Sequence, residues 1–121
     1  MTGFPKAVRD TILARAKGGC EVCFFAQPDQ IHHRRPRGAG GSKAVDTNTA
    51  SNGLAICSGC HRMVESNRKE AFTNGWLVHQ GHDPASVPVL RFGSDWVLLA
   101  DDGTTTTYKA GAEWARLHPQ K

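Results

Sequence analysis

The sequence predicts a small α+β domain with too little chain for a large core, and three observations carry that expectation. Two CxxC pairs, Cys20-Glu-Val-Cys23 and Cys57-Ser-Gly-Cys60, bracket a connection rich in glycine and arginine. Helical periodicity marks residues 4–16 and 60–71. Short β-type runs lie at 30–33, 76–78, 96–99 and 104–108, separated by turn signals. At 121 residues the chain is predicted to form one domain, residues 1–121.

Four thiols in two CxxC pairs match the ligand set of a closed tetrahedral zinc site, so Cys20, Cys23, Cys57 and Cys60 are the expected ligands of a structural zinc. One tight turn in each pair presents two sulfurs to one ion. A short chain gains much from this, because metal-binding free energy becomes folding free energy. Two disulfides are the competing use of the same residues. The opening Met-Thr-Gly-Phe-Pro has no apolar signal segment, and no apolar run is long enough to span a bilayer. A cytoplasmic, reducing location with no membrane partner is therefore expected, which favours metal over disulfide.

The net charge of +4 is unevenly placed: residues 1–69 hold 11 Lys/Arg against 5 Asp/Glu, and residues 70–121 hold 4 against 6. The positive half carries the motifs, which fits an anionic partner such as nucleic acid.

Taken in order, Phe4 to Ala16 predicts a helix, with Pro5 near its start and Gly18-Gly19 as its stop. Val8, Ile12 and Ala16 form its apolar stripe with Leu13 beside them. Lys6, Arg9, Arg15 and Lys17 fall mostly elsewhere, as a solvated basic side. Phe24-Phe25-Ala26, a turn at Gln27-Pro28-Asp29, and Gln30-Ile31-His32-His33 suggest a small hairpin. Arg34 to Ser42 combines Pro36 with three glycines and can form no regular element. Its Arg34, Arg35 and Arg37 suit phosphate oxygens; a solvated loop has the same composition. Asp46 to Ser51 is polar and turn-like. A helix is expected from about Cys60 to Ala71, ended by Asn74-Gly75, with His61, Val64, Glu65, Arg68 and Phe72 at helical spacing. Trp76 to Val78 reads as a strand, then a loop with Pro84 and Pro88 follows. Trp96 to Leu99 and Thr104 to Tyr108 read as a hairpin turned by Asp101-Asp102-Gly103. A last amphipathic stretch, Ala112 to Leu117, carries Trp114. Residues 73–121 read as a structural extension.

The paired histidines, an asparagine upstream of Leu-Ala-Ile-Cys, and a CxxC followed at once by His61 resemble the HNH endonuclease family, over about residues 18–72. The phrase HHRRPRG, with GG soon after, is most similar to small HNH proteins of phages and prophages of actinobacteria. The resemblance implies a ββα-metal core, here of the zinc-stapled kind. It implies a metal-dependent endonuclease that hydrolyses DNA phosphodiester bonds, by nicking or double-strand cleavage. His33 would be the general base that activates water, and His32 and His61 would hold one catalytic divalent ion. Asn52 would orient His33 or tie down the loop that holds it. A link to phage DNA packaging, beside a terminase in the host cytoplasm, is a further implication. The alternative is a zinc-stapled DNA-binding module without catalysis.

Elementary chemistry agrees with these roles. Phosphodiester hydrolysis needs a base for water and a cation for charge on the phosphoryl and leaving oxygens, and histidine titrates near working pH. Cys60 and His61 are adjacent on a helix, so one can face the zinc and the other a cleft. His32 and His33 are neighbours on a strand and should point to opposite faces, so a shared site requires a strand end or kink. The family's first dyad position is often Asp; with His32 there, manganese, nickel, cobalt or zinc should be favoured over magnesium. Glu65, one turn after His61, is the candidate third ligand, with water as the alternative, whereas Asn67 would point away on a regular helix.

Overall fold

The computed structural model describes residues 3–36 and 47–108. Helix α1 (Lys6–Ala16) begins after Pro5 and ends where Lys17 turns left-handed at φ 57°. Strand β1 (Gln30–His33) pairs antiparallel with β2 (Gly53–Ile56), and the register sets Gln30 opposite Ile56, His32 opposite Leu54 and His33 opposite Gly53. Helices α2 (Ser58–Ser66) and α3 (Arg68–Thr73) follow, and a separate sheet of β3 (Val89–Arg91), β4 (Asp95–Leu99) and β5 (Thr105–Thr107) closes the described chain. The mixed α+β class is as expected.

The β1–β2 ribbon separates two apolar clusters. Opposed residues of an antiparallel pair share a face. Leu54 and Ile56 therefore pack with Val64 of α2, the cysteines, Trp76, Leu77, Val89, Val97 and Leu99. On the other face Ala55 and Ile31 pack with Phe4, Ile12 and Ala16 around α1. Strand β2 is buried along its whole length, which accounts for its unbroken apolar sequence Leu54-Ala55-Ile56. Gly53 allows the close approach, since a Cβ there would lie 3.0 Å from the Phe4 ring and 3.2 Å from Ile31.

Several local expectations are corrected. Residues 24–26 do not pair with β1. They close the first cysteine turn, with Cys20 N–H donating to the Ala26 carbonyl and Phe24 N–H to the Cys20 carbonyl. The helix expected over 60–71 is two helices, because Asn67 adopts φ −126°, ψ 61° between them, a conformation in keeping with the low helix preference of asparagine. Trp76 to Val78 is buried but irregular: the Trp76 and Leu77 amides both donate to Ala71 O, and Val78 N–H donates to Arg34 O. The predicted hairpin is present as β4 and β5, and β3 joins it as a third strand. The stretch from Ala112 to Leu117 lies outside the described residues.

Arg15 is also corrected. It is buried at 6% exposure and its fork grips Glu21 of the first cysteine turn through two bonds of 2.8 and 2.7 Å. Its remaining donors reach the Ala50 and Gly53 carbonyls. Arg91 Nε stands 3.3 Å from Glu21 as a second cation, without hydrogen-bond geometry. This ion cluster joins α1, the cysteine turn, β2 and β3.

Candidate functional site

The four cysteines bring one sulfur each to within 4.8 Å of one another. Cys23 and Cys57 sulfurs are 3.9 Å apart. A disulfide would need about 2.05 Å, whereas sulfurs each about 2.3 Å from one tetrahedral ion stand about 3.8 Å apart. The spacing thus fits zinc and excludes a disulfide between these two. Both turns bend backbone N–H groups toward sulfur: Val22 and Cys23 toward Cys20, and Cys60 toward Cys57. Cys57 is also the cap of α2, its sulfur accepting from the Cys60 N–H. Burial pushes the Cys20 thiol up, but the backbone bonds from Cys23, Cys57 and Val22 outweigh it and bring the group down to about 7. Burial and the neighbouring sulfurs push Cys60 the other way. Four sulfurs converging in this way offer a tetrahedral ligand set for one cation.

A second group lies on the α2 face of the ribbon. His32, His61 and Glu65 each offer a ligand atom, all within 4.8 Å of one another. His32 points inward from β1 and is buried; His61 and Glu65 stand one turn apart on α2, with 3.9 Å between Nε2 and Oε2. His32 Nε2 donates to the Trp76 carbonyl at 2.9 Å, because a carbonyl can only accept. Burial holds His32 down to about 4, so at neutral pH its other nitrogen, Nδ1, carries a free lone pair. An imidazole anchored through one nitrogen by a backbone carbonyl, with the other available, suits a metal ligand. Glu65 therefore joins the histidines as expected, and it also meets Arg68 at 3.2 Å.

His33 is not in this group. As the last residue of β1 it faces the α1 side, where its ring stacks on Phe4 at 4.2 Å and 18°. Its Nε2 lies 2.8 Å from Asn48 Oδ1. An amide oxygen accepts, so Nε2 carries the proton and Nδ1 the lone pair. The two histidines thus flank one strand end from opposite faces.

Asn52 does not meet His33 among the described contacts. Its Oδ1 accepts from Arg35 N–H at 2.7 Å and its Nδ2 donates to the Thr47 and Arg35 carbonyls. Of its two expected roles, it performs the second, tying the chain after β1 to the segment before β2.

The arginines are a correction. Arg34 is fully buried, and its guanidinium donates to the Gly75, Ser51, Pro84 and Val87 carbonyls at 2.8, 2.8, 3.0 and 2.8 Å. Arg35 is 5% exposed and donates to the His82 carbonyl. Arg34 does not present its charge to a phosphate, because burial inside the fold commits its fork to backbone carbonyls. Arg37 lies outside the described residues. With Arg15 also buried, the surface of the basic half is less positive than its residue count implies.

Two features escaped the sequence reading. Asn48 sits in a polar, turn-like stretch with no motif to single it out. The extension after residue 73, read as merely structural, supplies the carbonyls that hold His32, Arg34 and Arg35. Comparison with protein-family models, curated proteins and solved structures finds no match to this chain. Among the described residues, no helix is long and apolar enough to cross a membrane.

Proposed function

We propose that the protein is a metal-dependent endonuclease of the HNH kind, hydrolysing DNA phosphodiester bonds on a ββα-metal core stapled by zinc. The observation that carries this reading is the meeting of His32, His61 and Glu65 beside a strand-terminal His33 whose tautomer is set by Asn48. A divalent cation held by that trio would supply positive charge to the phosphoryl and leaving oxygens. Two imidazoles and one carboxylate suit manganese, cobalt, nickel or zinc better than magnesium.

His33 takes the proton of the attacking water at Nδ1, while Phe4 and Asn48 hold the ring in place. Displacement at phosphorus needs the attacking and leaving oxygens roughly in line, and this reading assigns the first to His33 and the second to the ion that the trio would hold. Asn52 keeps the chain around this strand end in register.

Cleavage of supercoiled plasmid by the zinc-loaded protein, across a panel of divalent ions, tests the reading. Wild type should nick or linearise the plasmid. His33→Ala should lose about 10²–10⁴ in rate while keeping its fold, zinc and DNA affinity. Wild-type protein inert with every ion, or a fully active His33→Ala, would overturn it; DNA binding without cleavage would point to a zinc-stapled binding module.

A further inference from the structure

The segment that follows α2 touches the His32–His61–Glu65 trio from outside at two points. The first is a backbone contact: the Trp76 carbonyl, just past α3, accepts from His32 Nε2 at 2.9 Å. That carbonyl is held in place, since the Trp76 and Leu77 amides close onto Ala71 O and the Trp76 indole donates to the Leu90 carbonyl at 2.8 Å. The second contact is made by a side chain. Asn67 breaks the helix, so Arg68 opens α3, and its Nη1 donates to Glu65 Oε1 at 3.2 Å. The other oxygen of Glu65, Oε2, is the one turned toward His61 Nε2, 3.9 Å away. One oxygen of the carboxylate is thus engaged by a guanidinium and the other is left to the trio. Arg68 is itself held. Its guanidinium carbon lies 5.6 Å from the centre of the Phe72 ring, which stacks with His79 at 3.9 Å and 9° and packs against the larger apolar cluster. The cation is therefore placed between a carboxylate and a ring that belongs to the core, which restrains an otherwise mobile side chain.

We infer that Arg68 is a positioning residue for Glu65, holding Oε1 so that Oε2 is the oxygen offered to a divalent ion. The inference rests on the proposed metal-binding reading of the trio and extends it outward by one residue. Carboxylates that ligate metals are themselves hydrogen-bonded, and losing such a partner typically costs about 10–100-fold in metal affinity or activity. Glu65 is the member of the trio that most needs one. It is half exposed near the end of α2, whereas His32 is buried and anchored by a carbonyl. An exposed ion pair of this kind does little for stability, so its consequence falls on the carboxylate. Charge alone would act in the opposite direction. A guanidinium that merely stood nearby would repel a divalent ion, and removing it would leave the affinity unchanged or raise it. The direction of the change therefore separates the two roles.

Calorimetric titration of manganese into the zinc-loaded protein tests this without turnover. Wild type is compared with Arg68→Ala, Glu65→Ala and the double variant. Arg68→Ala should bind manganese about tenfold more weakly than wild type. Its zinc content and urea midpoint should stay close to wild type, because the side chain is half exposed. Arg68→Lys keeps the charge and can still donate to Oε1, so it should recover part of the loss. In the double variant the loss should equal that of Glu65→Ala alone, since Arg68 acts through the carboxylate. Affinity in Arg68→Ala equal to or tighter than wild type, with Glu65→Ala weakened, overturns the positioning role and leaves the trio intact. Losses that simply add in the double variant overturn it in the same way. Absence of manganese binding by wild type, or Glu65→Ala binding as tightly as wild type, removes Glu65 from the ligand set and the role of Arg68 with it.

Discussion

Replacing Arg34 offers a direct test of what this residue does. Its four bonds to backbone carbonyls span 2.8–3.0 Å, and hydrogen bonds to a charged donor contribute about 1.5–3 kcal/mol each. Burial works against them, pushing the guanidinium down to about 9. Arg34→Met removes both effects and leaves four buried carbonyls with fewer donors, so the net loss should be about 3–5 kcal/mol. Arg34→Lys should lose less, but still more than 1 kcal/mol on this scale, because a point ammonium cannot fork to four acceptors. Urea unfolding of the zinc-loaded protein, followed by circular dichroism, reads both values. The salt dependence of DNA binding should be the same in folded Arg34→Met as in wild type, since the charge never reaches a phosphate. A stability loss below about 1 kcal/mol for Arg34→Met, or a salt slope lowered by about one in folded Arg34→Met, would refute the buried-anchor assignment.

Three further outcomes are expected. The purified protein should carry one zinc on Cys20, Cys23, Cys57 and Cys60, and each single Cys→Ser change should impair folding; thiols that react freely in folded, metal-free protein would contradict this. His61→Ala and Glu65→Gln should raise the concentration of divalent ion needed for half-maximal cleavage, with high metal restoring part of the rate. Isothermal titration of the zinc-loaded variants provides a check without turnover, and affinity equal to wild type would remove both residues from the ligand set. His32, held down to about 4 when folded against about 6.5 when unfolded, makes the unfolded chain the better proton acceptor between those values. Stability should therefore fall as pH drops through that window, with His32 contributing about 1.5 kcal/mol of loss from pH 6.5 to 5. His32→Gln should lack that component when urea midpoints are compared across pH, and identical slopes would contradict the burial assigned to this ring.

Local chemistry was what the sequence could express. The two CxxC turns are short-range devices, so their spacing alone predicted four sulfurs around one point, and the cluster agrees. The end of α1 before Gly18-Gly19 and the turn at Gly103 were legible for the same reason, since Gly18 and Gly103 take the left-handed backbone that glycine favours; that Lys17 also turns left-handed was not. The i,i+4 relation of His61 and Glu65 needs only helical geometry.

What the sequence could not express were pairings between distant segments. Nothing near Arg34 announces that carbonyls from residues 51, 75, 84 and 87 will surround it. An arginine on a glycine-rich stretch therefore read as a phosphate contact. The partner of β1 was misassigned likewise: a local turn signal favoured residues 24–26, while the long-range register with β2 prevailed because it buries apolar side chains on both faces. Asn48 gained its role only when the fold set it beside His33. The alternation of the strand was predictable from the sequence. That it separates His32 from His33, with α2 behind one and α1 behind the other, was decided by tertiary packing, because a two-residue period defines two faces but not what covers them.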